Sequence, residues 1–376
     1  MKKSVKFFAL ASVLLITLTL PACGDSSFYA PSSESGLRIG IVTSSGVDDG
    51  SFGQECYLGI LGFTSTHEDS SVNHVKEPDM GKMIQAVSDI IADYDVMVLP
   101  GFQFNNVTPV ALANPDKMFI LVDTFPIDAE GEVIELNNVY AMQFKEQESG
   151  FFAGVAAALE TKTGKVAVVS GMPFPPVVNY QYGFMAGVNY ANAHLNASAT
   201  YVELPSYAAS DMFGNNVGGN YVGSFADQAT GKVIGNALIN EGVDRFFVAA
   251  GDSGNGVFVA VKEASNDIYV IGVDLDQYDD GETGTRNIVL TSGTRKIAMN
   301  ITRQLENMYN GTFRGENALL DASSDSTGYV SQPGRHQMSD RTLRELEKVY
   351  NAVKYGEIIP PGQFTGDSVP TNFPGL

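Results

Sequence analysis

Beyond residue 36 the chain alternates between two hydrophobic rhythms. Short continuous apolar runs rich in Val, Ile and Phe occupy 37–42, 94–99, 118–122, 165–170, 199–204, 245–249 and 268–273, and a further short one leads into Leu290-Thr291-Ser292-Gly293-Thr294-Arg295-Lys296. Between them apolar residues recur at spacings of three and four, which predicts helices over 52–64, 81–94, 147–160, 180–193, 224–241, 255–265 and 294–309. Continuous apolar strands separated by helical patterns indicate parallel sheets covered on both faces, because a strand buried on both sides has no polar alternate positions. The chain is therefore expected to be α/β.

There are more strands than one modest sheet needs, and a natural division falls near 141–148. The expected architecture is two doubly wound, Rossmann-like lobes joined by a hinge. The first would span 37–142 with part of 274–310, where the chain crosses back. The second would span 143–273 with part of 311–364, including a surface helix over 338–354. No repeat of solenoid period and no long low-complexity segment interrupts this plan. Open α/β sheets bind ligands beyond the carboxyl ends of their strands. Two such lobes facing each other make a cleft that hinge closure can bury.

The two ends carry a different signal. Residues 1–6 hold Lys2, Lys3 and Lys6 with no acid, and 7–20 is an apolar run of signal-peptide length, too short for a membrane span. It ends in Leu20-Pro21-Ala22-Cys23, which resembles a lipobox: residues 1–22 are expected to be a lipoprotein signal, Cys23 to take the lipid and the serine-rich 23–36 to be a flexible tether. Two acyl chains anchor firmly where one does so only marginally. Cys56 is the only other cysteine, so with Cys23 acylated no internal disulfide can form. Residues 365–376, with two prolines and two glycines, are expected to be an irregular tail. The formal charge of -20 disfavours nucleic acid, whose phosphates select basic surfaces, and becomes more acidic once the three leader lysines are removed.

Candidate chemistry sits at the strand ends. After the first strand, Gly46-Val47-Asp48-Asp49-Gly50-Ser51-Phe52-Gly53-Gln54 opens a helix; Asp48, Asp49 and Ser51 are ordinary capping residues, while Phe52 stands at the first turn beside the cleft. Asp123 directly follows the 118–122 strand. The proline loop 171–176 leads into an aromatic helix, with Tyr180 expected in the cleft and Phe184 in the core. The loop Gly251-Asp252-Ser253-Gly254-Asn255-Gly256 could bring backbone N–H groups close to a ligand, but lacks the dinucleotide spacing. It resembles a serine-protease nucleophile loop only weakly, with no histidine in a partner motif. Asp274 and Asp276 close the 268–273 strand without the glycine a calcium loop needs, and Lys296 is either a site cation or a solvated helix residue. Neither a metal nor a cofactor is expected.

Taken in order, Asp48-Asp49-x-Ser51-Phe52-x-Gln54, the strand ending in Asp123, Tyr182-Gly183-Phe184-x-Ala186-Gly187 and Ile271-Gly272-Val273-Asp274-x-Asp276-Gln277 resemble the basic membrane protein family of nucleoside-binding lipoproteins. The resemblance runs from 37 to about 309. It implies a type I periplasmic-binding-protein fold and a non-enzymatic function: capture of a nucleoside, a purine above all, outside the cell membrane for ABC permease subunits. It also implies a base stacked between Phe52 and Tyr180, base-edge contacts from Asp48 and above all Asp123, and ribose contacts from Asp274 and Lys296 with Gly251 close by. This chain departs from similar proteins at Gly53, where Asn is common, and at Asn179-Tyr180, which replaces Arg-Phe. The competing readings are a sugar or autoinducer receptor of the same fold, an extracellular nucleoside hydrolase or deaminase, and an adhesin without an enclosed pocket.

Overall fold

The computed structural model describes residues 36–264 and 267–362. The expected signal, Cys23, the tether up to 35 and the tail over 365–376 lie outside the described residues.

The first sheet begins with β1 (Arg38–Thr43), followed by α1 (Phe52–Thr64), β2 (Ser71–Lys76), α2 (Met83–Ile90), β3 (Val96–Pro100), α3 (Thr108–Ala113), β4 (Met118–Val122) and β5 (Val139–Phe144). The chain then passes through α4 (Glu146–Glu160) into β6 (Lys165–Ser170), α5 (Pro175–His194), β7 (Thr200–Tyr201), a small hairpin of β8 (Ala209–Ser210) and β9 (Asn216–Gly218), α6 (Gln228–Asn240), β10 (Arg245–Ala249), α7 (Asp252–Glu263), β11 (Tyr269–Asp274) and β12 (Val289–Arg295). It finishes with α8 (Ile297–Tyr309), β13 (Glu316–Leu320), β14 (Thr327–Tyr329) and α9 (Asp340–Lys354).

The strand orders are β13-β5-β4-β3-β1-β2 and β14-β12-β11-β10-β6-β7. Every pairing in them is parallel except β12 with β14. The two sheets thus repeat one plan, in which β4 corresponds to β11 and β5 to β12. Each is apolar at its central strands, as burial on both faces requires.

The helices that follow the corresponding strands β5 and β12 are exchanged between the lobes. α4 leaves the first sheet and packs into the second core with α5 and α9, while α8 leaves the second and lays Ile297, Ile301, Leu305 and Met308 on the first. With the link from β13 to β14, the chain crosses between lobes three times. The type I periplasmic-binding-protein architecture is thereby established, with β12 and β14 joining the second sheet and β13 completing the first.

The α4–α5 pair explains a motif. A Cβ added at Gly150, Gly154, Gly183 or Gly187 would lie 2.4, 2.1, 2.1 or 2.2 Å from a backbone carbonyl oxygen of the facing helix. Glycines four residues apart on both helices let the backbones touch, so Tyr182-Gly183-Phe184-x-Ala186-Gly187 is a packing motif. It also fixes Glu146, at the start of α4, and Tyr180, in the second turn of α5, relative to each other. Gly154→Ala overpacks this contact, and chemical denaturation is expected to show a loss of about 1–3 kcal/mol; unchanged stability would mean the helices can separate freely.

Candidate functional site

In each sheet the strand order reverses beside its first strand, between β1 and β3 and between β6 and β10, and such switch points open a crevice at the carboxyl ends. The loops after those strands line one shared cavity: Ser44 and Ser45 after β1, Gly101, Phe102 and Gln103 after β3, Phe174 after β6, and Ala249 and Gly251 after β10. Phe52, Asp123, Tyr180, Phe225, Asp274 and Arg295 add to its wall.

Its charged floor is built by symmetry. Asp123 follows β4 and Asp274 ends β11, corresponding places in the two lobes. Both adopt left-handed backbone, φ 69° and 68°, a conformation that non-glycine residues seldom hold away from functional turns. The two exchanged crossings supply the rest: Glu146 opens α4 and Arg295 ends β12 just before α8. The Arg295 guanidinium, 2% exposed, donates from Nη1 to Asp123 and to Glu146 Oε1 (3.2 Å), and from Nε to Asp274 Oδ1 (2.7 Å). Tyr180 donates its hydroxyl to the same Asp274 oxygen at 2.8 Å, and Asn179 Nδ2 donates to Glu146 Oε2 at 3.1 Å.

Two of the carboxyls on this cation are pushed toward the protonated form. Burial raises Glu146 to about 8, with the Asp123 charge adding to the effect and Arg295 opposing it. Burial likewise raises Asp123 to about 6 against the pull of Arg295. Asp123 and Asp274 each spend Oδ1 on Arg295, and among the described residues no hydrogen bond reaches Oδ2 of either. Two strong acceptors, one from each lobe, therefore stand at the cavity wall.

Aromatic rings form the other side. Phe102 of the first lobe packs on Phe174 of the second with centroids 5.8 Å apart, and Phe174 meets Phe225 at 6.1 Å. The Phe225 ring lies where a Cβ on Gly171 would be, 2.3 Å away, so only glycine at 171 admits it. Its segment is held by Ser253, whose backbone N–H donates to Phe225 O (3.2 Å) and whose hydroxyl donates to Ser224 O (2.9 Å) while accepting from Asp227 N (2.8 Å). The protease-like Gly251-Asp252-Ser253-Gly254 is thus scaffolding for an aromatic wall. Gly251 itself, at φ 55° and ψ -142°, occupies backbone space that a side chain would strain.

Of the seven cleft positions expected from sequence, Phe52, Asp123, Tyr180, Gly251 and Asp274 come together, and Asp48 and Lys296 do not. Asp48 is exposed; its neighbour Asp49 turns inward and caps α1, accepting from the N–H groups of Ser51, Gly53 and Gln54. Lys296 is exposed at the start of α8, outside this cavity, because β12 continues through residue 295 and points Arg295 inward instead. Phe52 and Tyr180 do flank a flat group, but it is the Arg295 guanidinium, 5.2 and 5.4 Å from their centroids. A Cβ on Gly53 would lie 2.0 Å from Gly46 O, so this turn has no room for a side chain at 53. Asp276 and Asp279 are both taken by Arg335, at 2.6 Å each.

The sequence reading missed Arg295, Glu146, Phe102, Phe174 and Phe225. For Arg295 the available signal was its place at a strand's carboxyl end, the same place that singled out Asp123 and Asp274.

The lobes meet around this site. Besides Arg295 on Asp123 and Phe102 on Phe174, Asn255 Nδ2 donates to Asp49 O (3.2 Å) and Gln277 Nε2 to Gly50 O (2.7 Å). The cavity between the lobes is bounded by two acceptors and a ring-lined wall.

Comparison with known proteins agrees. Residues 37–206 and 215–362 match the family Bmp, described as ABC transporter substrate-binding protein PnrA-like. The "ABC transporter nucleoside-binding protein BmpA" of Lactococcus lactis is 27% identical, covering 83% of this chain and 86% of its own. "Basic membrane protein A" of Borreliella burgdorferi is 27% identical over 86% and 87%. A crystal structure of an ABC transporter solute-binding protein from Aeropyrum pernix K1 superposes with a TM-score of 0.73 at 22% identity, covering 88% of this chain and 96% of that one, and shares its fold. This chain belongs to the Bmp family of PnrA-like ABC transporter substrate-binding proteins, and it binds its solute rather than transforming it.

Proposed function

We propose that this protein captures a nucleoside, a purine nucleoside above all, between its lobes for import by an ABC permease, and that Cys23 anchors it by lipid at the outer face of the cell membrane. The observation that carries the reading is the pair of unspent Asp123 and Asp274 oxygens beside a wall of phenylalanines. A nucleoside is a flat π-system joined to a polyhydroxylated ring. Stacking on aromatic side chains contributes ~1–3 kcal/mol per base whatever the base, while a carboxylate accepts ring N–H or ribose O–H groups strongly. With Arg295 engaged between Phe52 and Tyr180, the base falls to the phenylalanines: Phe225 and Phe174 on one lobe, Phe52 and Phe102 on the other. Asp123 then accepts from the base and Asp274 from the ribose, with one cation against the carboxyls favouring an uncharged solute. The Lactococcus lactis relative bears a nucleoside-binding name, and the lipobox-like Leu20-Pro21-Ala22-Cys23 supports the anchor.

The test is calorimetric titration of the chain from Asp25 onward, refolded to strip carried solute, against adenosine, guanosine, inosine, uridine, cytidine, ribose and galactose. Saturable one-to-one binding of a nucleoside without turnover is expected, and Phe225→Ala should weaken it by roughly 5- to 150-fold, the loss of one stacking ring. Binding of a sugar alone would overturn the nucleoside assignment and leave the fold untouched.

A further inference from the structure

The family match breaks between residues 206 and 215, and the break falls on the tip of the β8–β9 hairpin. The tip is tightly built. Asp211 Oδ1 accepts from the N–H groups of Phe213 (2.9 Å) and Asn215 (2.8 Å), Gly214 N donates to Asp211 O (3.0 Å), and Gly214 turns the chain at φ 84°. This turn presents two large apolar side chains to solvent, Met212 at 50% and Phe213 at 59% exposure. The base is equally fixed: Gln181 Nε2 donates to Val217 O (2.7 Å), Asn220 Nδ2 to Val168 O (2.9 Å), and Tyr221 bridges Ser170 at the carboxyl end of β6. From there the chain runs directly to Phe225 in the cavity wall. The hairpin therefore rises from the cleft-facing end of the second lobe.

We propose that Met212 and Phe213 form the knob by which this protein docks on its own permease, entering an apolar socket on the permease's extracytoplasmic face. Exposed adjacent Met and aromatic side chains are characteristic of interface cores, and a turn already fixed by hydrogen bonds loses little freedom on docking. A lipid surface is the poorer occupant. Membrane-seeking apolar tips are flanked by cations that hold anionic headgroups, whereas no Lys or Arg occurs between Lys165 and Lys232 and the chain as a whole carries -20. Lying outside the residues that define the family, the knob selects this protein's partner and leaves solute capture untouched.

A photo-crosslinking phenylalanine analogue placed at 213 in the full chain, in its own cells, tests this, with the same analogue at exposed Tyr355 as the comparison. Irradiation is expected to join position 213 to a transmembrane subunit of the permease, identified by mass spectrometry, in yield several-fold above that at 355. A lipid adduct, another envelope protein or no adduct would overturn the proposal. The crosslink reads docking whichever solute the cavity takes, so it fails or succeeds independently of the nucleoside assignment.

Discussion

Arg295→Met severely weakens solute capture and destabilises the folded chain by about 3–5 kcal/mol at neutral pH, the cost of leaving buried charges without their partner. The guanidinium holds Asp123, Glu146 and Asp274 at one point where the strand ends of both lobes and two of the three crossings converge. Without it the carboxyls repel one another or take up protons, and either result spoils the two acceptors offered to the solute. Affinity should fall by at least about 100-fold, within the 2–5 kcal/mol typical of truncating one partner of a buried charge pair. The stability loss should shrink toward pH 5, where protonation relieves the unpaired carboxyls. Arg295→Lys, which keeps the charge but lacks the planar fork, should recover part of the stability and less of the affinity. Full binding by the Met variant would show that the cluster is only structural.

The second large effect is a stability profile that declines as pH rises through neutrality. Glu146 titrates at about 8 in the folded chain and near ~4.3 when unfolded. Between those values the folded state holds a proton that the unfolded state has released, so stability is greatest below the lower value, declines as pH rises, and levels off above the upper one. Asp123, raised to about 6, steepens the first part of the same decline. Glu146→Gln removes the larger contribution. Its stability, followed by urea denaturation from pH 5 to 9, should match the parent at the acid end and exceed it by a few kcal/mol at the alkaline end, since each tenfold difference in proton affinity between the two states is worth about 1.4 kcal/mol. Parallel profiles for the two chains would place the proton elsewhere.

Much of the fold was legible because parallel strands buried on both faces are uninterrupted apolar runs: β4, β6 and β10 fall at 118–122, 165–170 and 245–249, where the pattern put them. β2 was missed because this edge strand, Ser-Val-Asn-His-Val-Lys, is largely exposed and hence polar. β13 and β14, at the outer edges of the two sheets, are short and half-exposed for the same reason. α5 begins at Pro175 rather than 180, because two prolines that look like a rigid loop are equally suited to a helix's first turn.

In the site, Asp123, Asp274 and Gly251 were found through a rule of topology, that strand ends face ligands. Arg295 satisfies the same rule, but the cation after it, Lys296, was taken in its place; Glu146 escaped because it opens a helix at a chain crossing, and which lobe receives that helix is decided by tertiary packing. Phe225 escaped because the helical pattern ran from 224, whereas α6 begins only at Gln228, and its place depends on Gly171 and Ser253, far off in sequence.

The three crossings also set the order in which the molecule can be assembled. The first sheet lacks α8 and its edge strand β13 until residue 320 exists, and the second lacks β14 and α9 until residue 354. No amino-terminal fragment short of residue 320 contains a finished lobe; one ending at 310 leaves one edge of β5 and one edge of β12 bare. For the export proposed above, a chain that completes its first lobe only at residue 320 and its second at 354 holds no finished lobe through most of its length.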